Sequence, residues 1–422
     1  MKIRMGFNTS GNLQTSGRNY QSVSLGKTRS TVGSITRKFN YCNRYAPSLN
    51  QSYNCTFDIF PPAPPVPFDP IEPSDGNYIT IVSQDGYILV SSDIGVTFVP
   101  TTVSPTPITN LFQVTMSFDG KYQIVSDVDN TTLNSIAISN NYGVSFSEPQ
   151  TPPSSNLAFI SLASSRTGQY QTCVSKQTDN LIYTSSDYGN TWSQPSQPDG
   201  KTANFGASLQ IICTNMNYSG NRQLALTVNT SALPFSSSIY ESDDYGQSWY
   251  LISTISSVTL FSLWVSDDSS ITSAGELGNG IDFPIWYSNN LGVNWTRSTF
   301  DGDPSLIPPA IFTIQTSFDG ITQIAAGGYS YGQYITPTAI FISRNGGKNW
   351  DIAPSVPTDL YWLSVSLSKR GKIMVAVACD SSDDVGFTPN PTANFYFYIS
   401  KDSGYTWTST TLAYPGVGIY IN

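Results

Sequence analysis

The octapeptide SSDYGNTW at residues 185–192 is written seven times, with small variations, along a chain of 422 residues. Its first position holds Ser91, Ser139, Ser185, Ser242, Ser288, Ser343 and Ser400. Its third holds Asp93, Asn141, Asp187, Asp244, Asn290, Asn345 and Asp402. Its fifth holds Gly95, Gly143, Gly189, Gly246, Gly292, Gly347 and Gly404. An aromatic closes each copy: Phe98, Phe146, Trp192, Trp249, Trp295, Trp350 and Trp407. Successive copies start 48, 46, 57, 46, 55 and 57 residues apart. Self-similarity at that period is the mark of a repeat architecture and limits the fold more than any other feature here.

Each copy follows a short alternating run such as YILVSS, SIAISN or YFYIS and precedes another strand-like run, so the box reads as a hairpin turn. The Gly supplies a backbone conformation that other residues resist, the Asp or Asn holds the turn by bonding nearby amides, and the aromatic packs back over the hairpin. A second pattern, strand–tight turn–strand, lies upstream of most copies, as in VTMSFDGKYQIV, TNMNYSGNRQLAL and QTSFDGITQIAA. One unit is therefore strand A, turn, strand B, loop, strand C, box turn, strand D. Four antiparallel strands repeated about an axis make a β-propeller blade. The first box lacks an A strand, and the last is followed by a spare one, PGVGIYIN at 415–422. The expectation is an all-β, seven-bladed propeller of four-stranded blades, closed by the C-terminal strand completing the first blade.

S-x-D-x-G-x-T-W resembles the Asp-box, or BNR, repeat of sialidases, sortilin-like receptor domains, some glycoside hydrolases and photosystem-assembly propellers. The resemblance covers residues 75–422 and implies the fold; propellers host unrelated activities. For a sialidase it implies an arginine triad, a Tyr–Glu nucleophile pair and an Asp acid/base. The body offers only Arg166, Arg222, Arg297, Arg344 and Arg370. All but Arg297 fall in A–B turns, at a B-strand start or in a box, on the face opposite a sialidase site, and the Arg-Ile-Pro signature is absent. A sialidase is not expected.

There is no histidine, which excludes Ser-His-Asp and Cys-His catalysis and His-ligated zinc. The cysteines Cys42, Cys55, Cys173, Cys213 and Cys379 form no CxxC pair; buried or free thiols are the favoured reading of all five, and a Cys42–Cys55 bridge is the alternative. No cofactor and no metal site are expected. No apolar run reaches the 18 residues of a membrane span, and the first 30 residues lack the apolar core of a secretory signal.

Charge divides the chain. Residues 1–57 hold eight basic residues and no Asp or Glu, whereas the whole chain carries −9. The domain reading is a basic, acid-free arm over 1–60, a Pro-rich linker over 61–74 (PPAPPVPFDPIEP spans 61–73) and the propeller over 75–422. Arg18, Arg29, Arg37, Lys38 and Arg44, interleaved with Tyr and Phe, suit a docking arm on a protein partner. A disordered tail and an organelle transit peptide are the alternatives.

The B–C and D–A loops share one face. Asp127, Asp129, Asp179, Glu276, Asp282, Asp380, Asp383 and Asp384 are its candidate binding residues. Glycosidase chemistry needs two such carboxylates roughly 5–10 Å apart; solvated loop acids and a weak calcium site are the other readings. An acidic face between Pro-rich loops favours a glycan or a cationic protein and disfavours nucleic acid. The expected function is a non-enzymatic binding or structural propeller tethered by its arm to a larger assembly, such as a virion or cell-surface layer. Alternatives are a carbohydrate-binding or carbohydrate-active propeller and an organelle assembly factor.

Overall fold

The computed structural model describes residues 76–127, 135–153, 157–175, 181–195, 209–229, 231, 235–278, 282–327, 338–380 and 393–422. The chain divides into two units, Met1–Glu72 and Pro73–Asn422. The arm, the linker through residue 75, Cys42 and Cys55 lie outside the described residues. Among the described residues no helix is long and apolar enough to cross a membrane.

The second unit is a seven-bladed propeller built from seven sheets. The inner strands Leu111–Met116, Phe159–Ser164, Leu209–Met216, Leu260–Val265, Ile311–Thr316, Tyr361–Leu367 and Gly416–Ile421 touch one another in order and close a ring. The strand Gly416–Ile421 pairs antiparallel with Ile79–Ser83, in the register Ile79↔Ile421 and Ile81↔Ile419, and so completes the first blade from the far end of the sequence. Asn422 adds a clasp: its Oδ1 accepts from Tyr78 N–H at 2.8 Å and its N–H donates to Tyr78 O at 3.2 Å. Closure leaves no inner edge open to stray pairing.

The blades depart from uniform four-strandedness. Among the described residues the second and third contain three strands. Pro149, Pro152 and Pro195 follow their boxes, and proline has no N–H to give a ladder; among the described residues the isolated bridges Ile138↔Ser147 and Thr184↔Ser193 stand in place of the outer strand. The fourth blade has no proline there and runs a full strand, Tyr250–Ser256. The sixth gains a fifth strand: Thr299–Phe300, leaving the fifth blade, pairs parallel with Asn349–Ile352. The parallel bridges Val103↔Phe146 and Thr151↔Thr191 repeat this latch from blade to blade.

The core lies between blades. Val82 and Ile88 of the first blade pack with Leu111, Val114 and Val125 of the second, and Val375 and Phe397 of the seventh pack with Ile79 and Ile419 of the first. Every inner strand also carries a register shift near its start, and the skipped residue is always apolar: Phe112, Ile160, Ile212, Phe261, Phe312, Leu363 and Val417. Polar neighbours of these residues staple one inner strand to the next. Gln113 Oε1 accepts from Leu162 N–H, Asn215 Oδ1 from Val265 N–H and Gln315 Oε1 from Leu367 N–H, so inner-edge amides are satisfied across the blade boundary.

The box spacing now has a physical account. The Ser hydroxyl accepts from the Gly N–H four residues on, at 2.9 Å in Ser91–Gly95 and 2.8 Å in Ser400–Gly404. The Asp or Asn Oδ1 accepts from the seventh residue's N–H, at 2.9 Å in Asp93–Thr97 and Asn290–Asn294. The indole N–H donates to the Gly carbonyl three residues back, as in Trp192–Gly189 at 2.8 Å and Trp350–Gly347 at 3.1 Å. The turn needs two consecutive left-handed residues, for example Tyr188 at φ 65° and Gly189 at φ 82°. A side chain at Gly404 would also strike Ile342 Cδ1 of the preceding blade. The box is thus a joint between blades.

These bonds set a pH dependence. Hydrogen bonds from Thr97 hold the Asp93 carboxyl down to about 2, and those from Thr406 do the same for Asp402. An unfolded Asp titrates near ~3.9, so between about pH 4 and 2 the unfolded chain binds more protons. The contribution of both groups is full above that window and is lost as pH falls through about 2. Asp93→Asn with Asp402→Asn is expected to flatten the rise of the urea midpoint between about pH 2 and 4 while leaving the fold intact, since Asn141, Asn290 and Asn345 fill the same position. Parallel midpoint-versus-pH curves for parent and variant would refute this account.

Candidate functional site

The B–C and D–A connections gather at one end of the axis, and the A–B and C–D turns at the other. Glu276 ends the strand Thr272–Glu276, and Arg297 lies on the outer strand of the same blade, paired with Trp286. Arg297 Nη1 lies 2.9 Å from Glu276 Oε2, Trp286 Nε1 donates to Oε2 at 2.7 Å, and the guanidinium sits 4.6 Å from the Trp286 ring centre. Arg297 does reach the loop end of the blade, where it meets Glu276. Glu276 is buried, so this triad ties the second, third and outer strands of the blade together. Neither the pairing nor the Trp286 contact was legible, because the partners stand 21 and 10 residues apart on different strands.

Asp127 closes the strand Gln123–Asp127 and is fully buried. Asp282 is exposed just before Ile285–Ser288. Asp380 is exposed, and accepts from Asn394 Nδ2 at 2.7 Å and Tyr396 Oη at 3.2 Å. Asn394 and Tyr396 hold its carboxyl below the ordinary range, with the Asn394 side chain the larger cause. A glycosidase general acid needs the opposite shift. Asp129, Asp179, Asp383 and Asp384 lie outside the described residues, as do Arg18, Arg29, Arg37, Lys38 and Arg44. Among the described residues no group of three cysteine or carboxylate side chains gathers as a metal site.

The described cations are sorted along the axis, although exposed Asp119, Asp243, Asp268, Asp319 and Asp402 stand among them. Lys121, Arg166, Arg222, Arg344, Lys348, Lys369, Arg370, Lys372 and Lys401 all lie in or beside A–B or C–D turns. At the loop end the described cation is Arg297, and Glu276 neutralises it. Exposed Asp85, Asp282, Asp303, Asp359 and Asp380 belong to B–C and D–A connections, in the sector running from the fifth blade through the seventh to the first, whereas Asp301 accepts from Asn349 Nδ2 of the sixth box at 2.6 Å, toward the other end. Asp303, lowered by the Ser305 amide, stays ionised well below neutral pH.

Sequence reading also missed a buried glutamine. Gln123, Gln171, Gln223 and Gln323 begin their B strands three residues after the A–B glycine, and each Nε2 donates to that glycine's carbonyl. The Oε1 atoms of Gln123, Gln223 and Gln323 accept from Thr80, Thr172 and Ser273 of the preceding blade. The recurring G-x-x-Q was its signal.

No family model matches the chain, and no curated protein does. Among solved structures it is similar to the GH74 xyloglucanase of Xanthomonas campestris, with 12% identity, TM-score 0.46, and coverage of 76% of this chain and 56% of that one. It is also similar to a GH74 enzyme of Niastella koreensis, with 15% identity, TM-score 0.44 and coverage of 82% and 68%. YCF48 from Cyanidioschyzon merolae gives 14%, 0.47, 72% and 86%. The chain spans little more than half the length of the xyloglucanase.

Proposed function

We propose that this chain is a non-enzymatic binding propeller whose loop-end face takes up a cationic protein surface, and whose basic arm over residues 1–60 holds it to a larger assembly. The observation that carries the reading is where the described cations stand: Arg297, neutralised by Glu276, is the one at the loop end, whereas the other nine stand at the opposite end among carboxylates of their own such as Asp119, Asp243, Asp268 and Asp319. A face whose exposed carboxylates stand apart from free cations steers cationic partners and repels nucleic acid. Asp380 and Asp303, lowered by hydrogen bonds, do not suit the role of a general acid.

The test uses the full chain and a fluorescent oligolysine probe. Asp282→Asn, Asp303→Asn and Asp380→Asn combined are expected to weaken binding about tenfold at low salt, from roughly 0.5 kcal/mol per exposed charge. The difference should shrink as ionic strength rises. Equal affinity in parent and triple variant removes the acidic face as the docking surface. Turnover of a glycan, abolished by changing a single loop carboxylate to its amide, replaces the reading with a glycosidase. For the arm, cross-linking of native material from Lys2, Lys27 and Lys38 to one abundant partner is expected, and no intermolecular links would remove the tether.

A further inference from the structure

The opposite end of the axis carries a second constellation. In six blades the residue after the turn-capping Ser or Asn stands next to the axis: Phe118, Arg166, Tyr218, Asp267, Phe318 and Lys369. Their backbones are joined turn to turn. Phe118 N–H donates to Arg166 O at 2.8 Å, Arg166 N–H to Tyr218 O at 2.9 Å, Tyr218 N–H to Asp267 O at 3.1 Å and Phe318 N–H to Lys369 O at 2.7 Å. Side chains also reach around this ring. Lys369 Nζ of the seventh blade lies 3.2 Å from Asp267 Oδ1 of the fifth, past the sixth.

Among the described residues Arg166 has neither the carboxylate partner of Arg222 and Arg297 nor the backbone acceptor of Arg344, which also lies against a ring, that of Tyr405 at 4.3 Å. Arg222 is paired with Glu241, Arg297 with Glu276, and Arg344 donates to Ser403 O. The Arg166 guanidinium lies instead 3.6 Å from the Phe118 ring centre and 4.6 Å from that of Tyr218, and among the described residues no carboxylate stands within ion-pair distance. Aromatic contacts engage the guanidinium through its π-face and leave its in-plane N–H fork for an acceptor. Beside it are two exposed rings, Tyr218 at 40% and Phe318 at 41%, set edge to face at 6.3 Å. Asp267 is more than nine-tenths buried, and its Oδ2 has no partner.

We propose that Arg166 anchors a carboxylate-binding site on the axis of this face, and that the ligand is an acidic side chain of a peptide flanked by aromatic residues. The planar fork matches a carboxylate through two parallel bonds. Lys369 is already neutralised by Asp267, so Arg166 supplies the attraction. Exposed Asp119, Asp268 and Asp319 in the same turns repel a doubly charged phosphate far more than a single carboxylate. Tyr218 and Phe318 seat the flanking rings. The site stands at the other end of the axis from the acidic face, so either can fail without the other.

The experiment is a fluorescence-anisotropy titration of the full chain with a labelled, capped peptide Gly-Phe-Glu-Phe-Gly and with its Gln counterpart. Saturable binding of the Glu peptide is expected. Arg166→Gln should weaken it about tenfold or more, as should Glu→Gln in the peptide, and the two changes together should cost no more than either alone. Arg166→Lys should also lose affinity, because a point charge replaces the fork. Additive losses would place the carboxylate on another group and overturn the proposal. So would an absence of saturation at millimolar peptide. If Arg166→Gln does not fold, judged by its melting transition, Arg166→Lys serves in the same cycle.

Discussion

Deleting residues 415–422 is expected to abolish cooperative folding of the propeller. The removed segment carries Val417, Ile419, Tyr420 and Ile421, all buried in the joint between the seventh, first and second blades. Four such side chains at ~1.5–3 kcal/mol each represent about 6–12 kcal/mol. That matches the whole net stability of a typical domain, roughly 5–15 kcal/mol. The loss also exposes the inner edge of Ile79–Ser83, paired along its length with the missing strand. Urea unfolding followed by Trp fluorescence and far-ultraviolet circular dichroism should give one coincident sigmoid for the parent and a broad, non-coincident decline for the truncated chain. A truncated chain with a single sharp transition near the parent midpoint would show that the ring does not depend on its closing strand.

Trp350→Ala should have the largest effect among single box substitutions. Trp350 is fully buried, packs beside Phe283, whose ring centre lies 6.4 Å away, and belongs to the cluster containing Phe341 and Ile285. Removing a buried Trp typically costs about 3–5 kcal/mol. Its indole N–H also satisfies the Gly347 carbonyl, so the substitution strips an acceptor of its partner as well as emptying a cavity. Trp350→Phe should recover most of the loss, retaining area but not the donor, with a residual deficit of about 1 kcal/mol. Trp407, only half-buried, should cost less when changed to Ala. Equilibrium urea unfolding of the three variants orders them. Equal losses for Trp350→Ala and Trp407→Ala would mean that burial does not set the worth of the box aromatic.

The propeller was legible because the box is local: Ser, Asp, Gly and Trp bond within eight residues, so neighbouring letters record the geometry. Ring closure was legible by counting, since one A strand was missing at the start and one was spare at the end. What escaped depends on partners far apart in sequence. Pro149, Pro152 and Pro195 stood in plain view, yet their effect on two outer strands shows only when the ladder is drawn. The skipped residues of the inner strands look like ordinary alternation, because a bulge shifts register without changing composition. At the candidate face, residue type could not separate buried Asp127 or neutralised Glu276 from exposed Asp282. Arg166 was assigned to its turn, but the aromatic rings around it come from two other blades.

The closing pair has a mechanical meaning. Tension drawn along the chain from residue 75 enters at Gly76 and pulls first on Ile79, whose partners are Ser91 on one side and Ile421 on the other. The rungs Ile79↔Ile421 and Ile81↔Ile419 are also those that keep the circle shut. The first rungs to take a load applied through the N-terminus are therefore the ones on which ring closure depends.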